Sequence, residues 1–320
     1  MSESNRLPFR ITLAVWRRAA AEAVWLLAGC VLVMFAFHWL YVYLTSLVSS
    51  SSFAGLFAEL PDSMGGMLGI SIADAATPRG RIALGYVDPT VVVIVVVWAL
   101  TRGSDAVSGP LDRGTLELTL AQPVSRLTVL SANLGVTLIG AALIATAAWL
   151  GTCAGVATVS VEQDNVMSKV IFGNFSLPFA ENNALGRLLF AKQQVPLWKL
   201  VAYRDFIPSA VNLFSLTMLM AGYTTLVSTC DRFRWRTLGI AGSFTLIQVV
   251  MKMTGLASVK LKWLFNFTIL GAYWPQVLAL SGDRVWELSW RYNGTLLCGA
   301  VLCYFAAAAV FTRRDLPAPL

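Results

Sequence analysis

The chain has 320 residues, of which 57% are apolar and only 13% are charged, and its net charge is +7. Its mean hydropathy is +0.68, whereas a soluble domain carries about 25% charged residues. These values exclude a soluble globular domain, a disordered chain and a disulfide-rich secreted module, and they predict an all-α polytopic membrane protein. The positive charge is typical of the cytosolic segments of membrane proteins, so we expect no nucleic-acid partner.

We predict that five apolar segments form spans, for which a helix of about 20 residues is typical. They are residues 24–48, 129–159, 206–230, 237–251 and 293–312. We expect a further span around residues 89–100, although an apolar core of that length forms only about 18 Å of helix. Asp88 followed by Pro89 favours a helix that is capped at Asp88 and runs on past Arg102. The alternative is a helix that begins near Ile82 and carries Asp88 into the membrane.

The N-terminal segment, residues 1–23, has the pattern of an interfacial helix. Ile11, Val15 and Ala19 share one side of such a helix, and arginines occupy other positions. A simple extension of the first span fits the same periodicity.

The segment before the last span, residues 257–285, is apolar but interrupted. Its central part, 263–280, contains Asn266, Gly271 and Pro275. Counting it as a span would give seven and place the two ends of the chain on opposite sides. Arginines near both ends favour the cytosol for each, so we predict six spans and a re-entrant segment, which surrounding protein can stabilise.

Six spans place residues 1–23, 101–128, 231–236 and 313–320 in the cytosol. These segments carry half of the 24 Lys and Arg residues in about half as many residues as the outer segments, as the positive-inside rule requires. We therefore expect a multi-pass protein of the cytoplasmic (inner) membrane with both termini cytosolic. The long outer loop 160–205 is a candidate contact for an extracytoplasmic protein.

The sequence lacks the motifs of the common catalytic sites. It contains a single histidine, no HExxH, GxSxG or GxGD motif, and no GxxxxGK[ST] loop that could bind ATP. We therefore expect no catalytic residue, no metal site and no cofactor bound by this chain. Any active transport must take its energy from another subunit.

The cytosolic loop 101–128 carries the strongest local pattern. Leucines alternate with polar residues from Leu116 to Leu120, and Pro123 interrupts the segment before Ser125 caps the next helix. Such an amphipathic segment suits the membrane surface or a soluble partner. The alternative is an ordinary solvated connector.

The run GTLELTLAQPVSR in this loop is similar to the inner-loop signature of type-2 permeases of ABC transporters. The likeness extends to the N-terminal helix, the six spans, the re-entrant segment and the basic tail TRRDLPAPL. The chain departs from the pattern at Pro110, where relatives commonly carry an acidic residue, and Asp112 is the nearest substitute. The resemblance implies a single permease domain over residues 1–320, whose loop forms a short coupling helix that rests on a separate ATP-hydrolysing subunit.

The residues expected to contact that subunit belong to the loop signature. We expect three leucines to enter an apolar groove of the subunit and three charged residues to form ion pairs at its rim. The leucines are Leu116, Leu118 and Leu120, and the charged residues are Arg113, Glu117 and Arg126. Gly114, Thr115 and Pro123 complete the predicted site.

Polar residues within the spans are candidates for a translocation path. For His38, a hydrogen bond to a neighbouring helix is the simpler role, and a proton relay or substrate contact is the alternative. Asp88 either caps a helix or faces the path. Lys252 is expected to extend its side chain to the outer membrane interface.

The resemblance implies the membrane subunit of an ATP-driven exporter. Two permease chains, most simply a homodimer, would assemble with two ATPase chains, and ATP and Mg²⁺ would bind only to the ATPase chains. The alternative is a membrane scaffold or assembly subunit that holds extracytoplasmic partners without transport.

Overall fold

The computed structural model of the chain describes residues 3–47, 69–163, 193–257 and 259–314. Within these residues, six helical segments are long and apolar enough to cross a membrane: Thr12–Leu47, Pro78–Ser104, Arg126–Thr158, Tyr203–Cys230, Arg234–Ala257 and Gly282–Arg313. The predicted all-α polytopic class and the number of spans are therefore confirmed. Most of the 160–205 loop and the tail residues 315–320 lie outside the described residues.

The first helix, α1 (Glu3–Leu47), is a single uninterrupted helix of 45 residues. At 1.5 Å per residue it is about 68 Å long, more than twice the roughly 30 Å of bilayer hydrocarbon. The expected interfacial helix is thus not a separate element, because residues 7–23 continue directly into the first span. The backbone agrees with the alternative interpretation, an extension of that span.

The second span is a broken helix. After the short helix α2 (Ile72–Ala76) come α3 (Pro78–Leu84), a 3-10 turn (Gly85–Val87) and α4 (Pro89–Ser104). Asp88 caps α4, because its carboxylate accepts a hydrogen bond from the Thr90 amide at 2.8 Å. The predicted cap is confirmed, and α3 supplies the length that α4 lacks. Because the whole span runs from Pro78 to Ser104, Asp88 also lies within it, as in the alternative.

Two short helices follow α4, and the third span comes after them. They are α5 (Ser108–Asp112) and α6 (Thr115–Leu120), and the span is α7 (Arg126–Thr158), with Ser125 as its predicted N-cap. At the far end of α7, strands β1 (Ser160–Gln163) and β2 (Gln193–Pro196) pair antiparallel, with Ser160 opposite Pro196. Short 3-10 turns, Leu197–Lys199 and Tyr203–Phe206, then enter the fourth span.

The fourth span, α8 (Ile207–Cys230), lies at the centre of the bundle. It packs against α4, α7, the fifth span α9 (Arg234–Ala257) and the sixth span α11 (Val285–Arg313). Its buried hydroxyls donate back to carbonyls one turn earlier, as Thr217 does to Leu213 at 2.8 Å, so the span hides polar groups at little cost. α4 and α7 meet closely at Gly140, where a Cβ atom would lie 2.0 Å from the Trp98 ring.

The segment before α11 does not form a spanning helix. It consists of 3-10 turns (Val259–Asn266, Ile269–Ala272 and Gly282–Arg284) and the short helix α10 (Pro275–Leu280). Leu270, Tyr273 and Leu278 are buried against the bundle. Protein therefore surrounds the second part of the segment, from Thr268 onwards, as we expected for a re-entrant segment, whereas Trp263 and Phe267 in its first part are exposed.

The bundle carries both ends of the described chain on the same side. Arg18 of α1 donates to Thr119 of α6 at 3.5 Å, and Arg126 of α7 donates to carbonyls at the end of α11. We call this side, which carries the 101–128 loop, the loop end. An even number of spans requires this arrangement.

Candidate functional site

The 101–128 loop folds as two short helices joined at a glycine. Gly114 has φ = 67°, a left-handed conformation that other residues rarely adopt, and it separates α5 from α6. Thr115 begins α6, and its hydroxyl donates to the Pro110 carbonyl at 3.2 Å. Pro123 is exposed and follows α6, after which Ser125 accepts from the Thr128 amide and starts α7. Gly114, Pro123 and Ser125 therefore all lie at a turn or at the start of a helix, as the sequence predicts.

The three leucines of α6 do not share a face. Leu116 is only 1% exposed and packs with Ala106, Leu130 and Phe311, and Leu120 is half-buried against the same cluster. Leu118 points the other way and is 70% exposed. Leu116 is therefore not available to a partner's groove, because a helix with 3.6 residues per turn places it opposite Leu118. For half-buried Leu120 the contact with a partner stays a prediction.

Asp105 connects the loop to the start of the fifth span. It lies 3.5 Å from the Arg113 guanidinium and 3.3 Å from that of Arg234. Glu117 is half-buried and has no ion-pair partner among the described side chains. Arg113 therefore already has a carboxylate within its own chain, whereas Glu117 remains available.

Arg126 is a structural residue of the loop end. Its guanidinium donates to the carbonyls of Phe311 at 3.0 Å and Arg314 at 2.6 Å, where α11 ends without intrahelical partners. Arg314 in turn donates to the carbonyl of Thr229 at 2.7 Å and to that of Asp231. Both contacts of Arg126 are made by its Nη1, so they do not exhaust the guanidinium, and the expected ion pair of Arg126 with a partner stays a prediction.

Ser228 fixes the start of α5 to the end of α8. Its hydroxyl accepts from the amides of Val107 at 3.2 Å and Ser108 at 2.8 Å, and it donates to the Ser104 carbonyl. The first turn of a helix has unpaired amides, so this side chain caps α5 from another span. Sequence reasoning missed Ser228 because its partners lie about 120 positions away.

Arg102 is buried beside a small cavity at the loop end. The Asn133 side-chain amide is oriented so that both its nitrogen and its oxygen are hydrogen-bonded. In this orientation its oxygen accepts from Arg102 Nη2 at 3.2 Å. The cavity, about 60 Å³, is bounded by α1, α4, α6 and α7 and includes Glu22 and Thr119. Arg102 was not among the predicted site residues, although a charged residue in an otherwise apolar span is a signal that the sequence contains.

The family of the chain follows from a match over most of its length. A family model described as ABC-2 family transporter protein matches residues 22–316. The chain belongs to this family. It is a multi-pass membrane protein and a permease component of an ABC transporter. No curated protein matches the chain significantly.

In this ABC-2 permease, His38 lies inside the bundle of one chain. Its Nδ1 lies 3.0 Å from the Met34 carbonyl of its own helix, and its ring lies 4.6 Å from that of Tyr86. The expected hydrogen bond to a neighbouring helix is absent, because Nε2 has no partner among the described residues. Asp88 is half-buried, and its capping bond to Thr90 gives it a structural role.

Lys252 of the permease does not extend to the membrane interface. It is buried, and its ammonium donates to the Tyr273 carbonyl at 2.7 Å and lies 4.7 Å from the Trp274 ring. The Tyr273 hydroxyl donates to the Tyr86 carbonyl at 2.5 Å, at the break in the second span. The lysine thus holds the re-entrant segment in place, which hydropathy alone does not indicate.

Proposed function

We propose that this permease is the membrane subunit of an ATP-driven exporter, and that α6 is the element on which a separate ATPase subunit docks. Two permease chains, most simply a homodimer, assemble with two ATPase chains, which bind ATP and Mg²⁺. The loop end lies in the cytosol, and the opposite end of the bundle lies on the extracytoplasmic side of the cytoplasmic membrane.

The observation that carries this proposal is the two-sided character of α6. Leu116 anchors one face of the helix in the bundle, while Leu118, 70% exposed, projects from the other. Glu117 lies between them and has no ion-pair partner among the described side chains. An exposed leucine with an adjacent free carboxylate is the composition expected of an apolar contact with a polar rim.

The attachments of α5 and α6 explain how docking can drive the spans. Leu116 contacts residues of α7 and α11, and Ser228 ties α5 to α8. When ATP closes the ATPase pair, a displacement of α6 is passed to these three spans at once, and the paired permeases open outward. Packed interfaces transmit such shifts because they deform little.

We predict that Leu118→Asp uncouples ATP hydrolysis from transport without preventing membrane insertion. Charging a central apolar anchor of an interface costs about 2 kcal/mol or more, which corresponds to roughly 30-fold weaker binding. The measurement is the ATPase activity of the co-purified complex in proteoliposomes, together with transport. The control is Gln122→Asp, which adds the same charge just beyond α6.

Two results would contradict the proposal. One is full ATPase binding and transport by the Leu118→Asp variant. The other is a stable complex of the permease that contains no ATPase chain, which would favour the scaffold function instead.

A further inference from the structure

An apolar groove runs along the outside of the bundle between α7 and α11, with α8 as its floor. It encloses about 480 Å³, and carbon atoms form almost all of its lining. Leu127 and Leu138 belong to the α7 wall, Leu297 and Ala308 to the α11 wall, and Met218 to the floor.

The groove has the length of one membrane leaflet. Leu127 and Leu138 are separated by about 16 Å along α7, and Leu297 and Ala308 by the same distance along α11. The hydrocarbon core of a bilayer is about 30 Å thick, so this length is close to half of it. Because Leu127 and Ala308 lie near the loop end, the groove extends from there towards the middle of the bundle.

The mouth of the groove carries positive charge. Arg126 immediately precedes Leu127, and Arg314 lies at the end of the opposite wall. Both guanidiniums bond to backbone carbonyls, and neither has a carboxylate partner among the described residues. Arg314 does bond to the backbone carbonyl of Asp231, but the carboxylate of that residue is paired with Arg236 at 3.5 Å. Their charge therefore stays available to an anion.

The lining decides what can fill the groove. A buried water needs two to four polar partners, which these walls do not provide, and protein surfaces in contact with hydrocarbon are not left empty. We propose that the groove binds one acyl chain of a phospholipid from the loop-end leaflet, with the lipid phosphate at Arg126. The apolar walls hold the chain, and the cationic mouth fixes the headgroup.

The proposal is tested by filling the groove from either wall. Leu134→Trp and Ala308→Phe place an aromatic ring where the acyl chain lies. Leu143→Trp and Ala306→Phe are the matched controls, because they make the same changes on exposed faces of the same helices outside the groove. Native mass spectrometry of the washed, detergent-purified permease counts the phospholipids retained per chain. We expect each filled variant to retain one phospholipid fewer than its control.

A second measurement uses the unmodified permease, so that it does not depend on how the variants fold. In phosphatidylethanolamine vesicles with a photoreactive group on the acyl chain, we expect adducts concentrated in residues 127–138 and 297–308. Equal retention by filled and control variants would overturn the proposal, as would adducts spread evenly over the lipid-facing spans. A disulfide between two Leu134→Cys chains in a cysteine-free background would also overturn it, because a second copy would then occupy the groove.

Discussion

Individual arginines stabilise the loop end mainly through backbone carbonyls. Arg126 and Arg314 donate to carbonyls at the ends of α11 and α8, which have no partner within their own helices. The ion pair of Asp105 with Arg113, by contrast, is partly exposed, and such pairs contribute about 0–1 kcal/mol. The arginine–carbonyl contacts are therefore the more important determinants of how the helix ends meet.

Asp88 gives a test of whether a polar residue within a span is structural. We predict that Asp88→Asn leaves transport near normal, because asparagine caps helices about as well as aspartate and can still accept from the Thr90 amide. Asp88→Ala removes the acceptor and should lower the free energy of unfolding by about 1 kcal/mol. The measurements are transport in proteoliposomes and thermal unfolding. Loss of transport by a stably folded Asp88→Asn variant would assign the carboxylate to the translocation path instead.

At the scale of elements, the loop shows what the sequence could and could not predict. Gly114, Pro123 and Ser125 are local signals, and they correctly predict a short segment that ends before a capped helix. The orientation of that segment depends on Leu130 and Phe311, which the loop contacts only after folding. The alternating leucines suggested one shared apolar face. In the helix, however, Leu116 and Leu120 face the bundle, and Leu118 projects from the opposite side.

The turn between α5 and α6 should be as important for coupling as Leu118, the proposed docking residue. We predict that Gly114→Pro abolishes stimulation of the ATPase, because proline fixes φ near −65° whereas the turn requires +67°. Gly114→Ala keeps the side chain small and should show a milder defect, since the left-handed conformation costs an alanine about 1–2 kcal/mol. ATPase activity in the reconstituted complex distinguishes these variants. Equal, full stimulation in both would mean that the geometry of the turn is not needed for coupling.

For the whole molecule, hydropathy and arginine distribution were sufficient to predict the six spans and the placement of both chain ends on one side. They could not predict that α1 is continuous, because an amphipathic extension and an interfacial helix have the same periodicity. The contact of Lys252 with Tyr273 was also beyond the sequence, because a lysine near the end of a span usually extends to the interface.

The proposed orientation of the permease in the membrane predicts two labelling patterns. In a cysteine-free background, a cysteine at Gln122 should react with an impermeant maleimide only in inside-out vesicles. A cysteine at Asp283, which is exposed at the opposite end, should react in intact cells. The two single-cysteine variants serve as controls for each other. The reverse pattern would show that the loop end faces outward.

The continuity of α1 makes it a rigid lever. Arg18 contacts α6 at the loop end, and Leu47 lies about 44 Å further along the same helix. Because no proline or break interrupts that length, a tilt of about 5° at Arg18 displaces the other end by about 4 Å. Near that end the Thr45 carbonyl accepts a hydrogen bond from Arg81 of α3. A small movement of α6 therefore reaches the opposite side of the bundle directly, without a hinge between them.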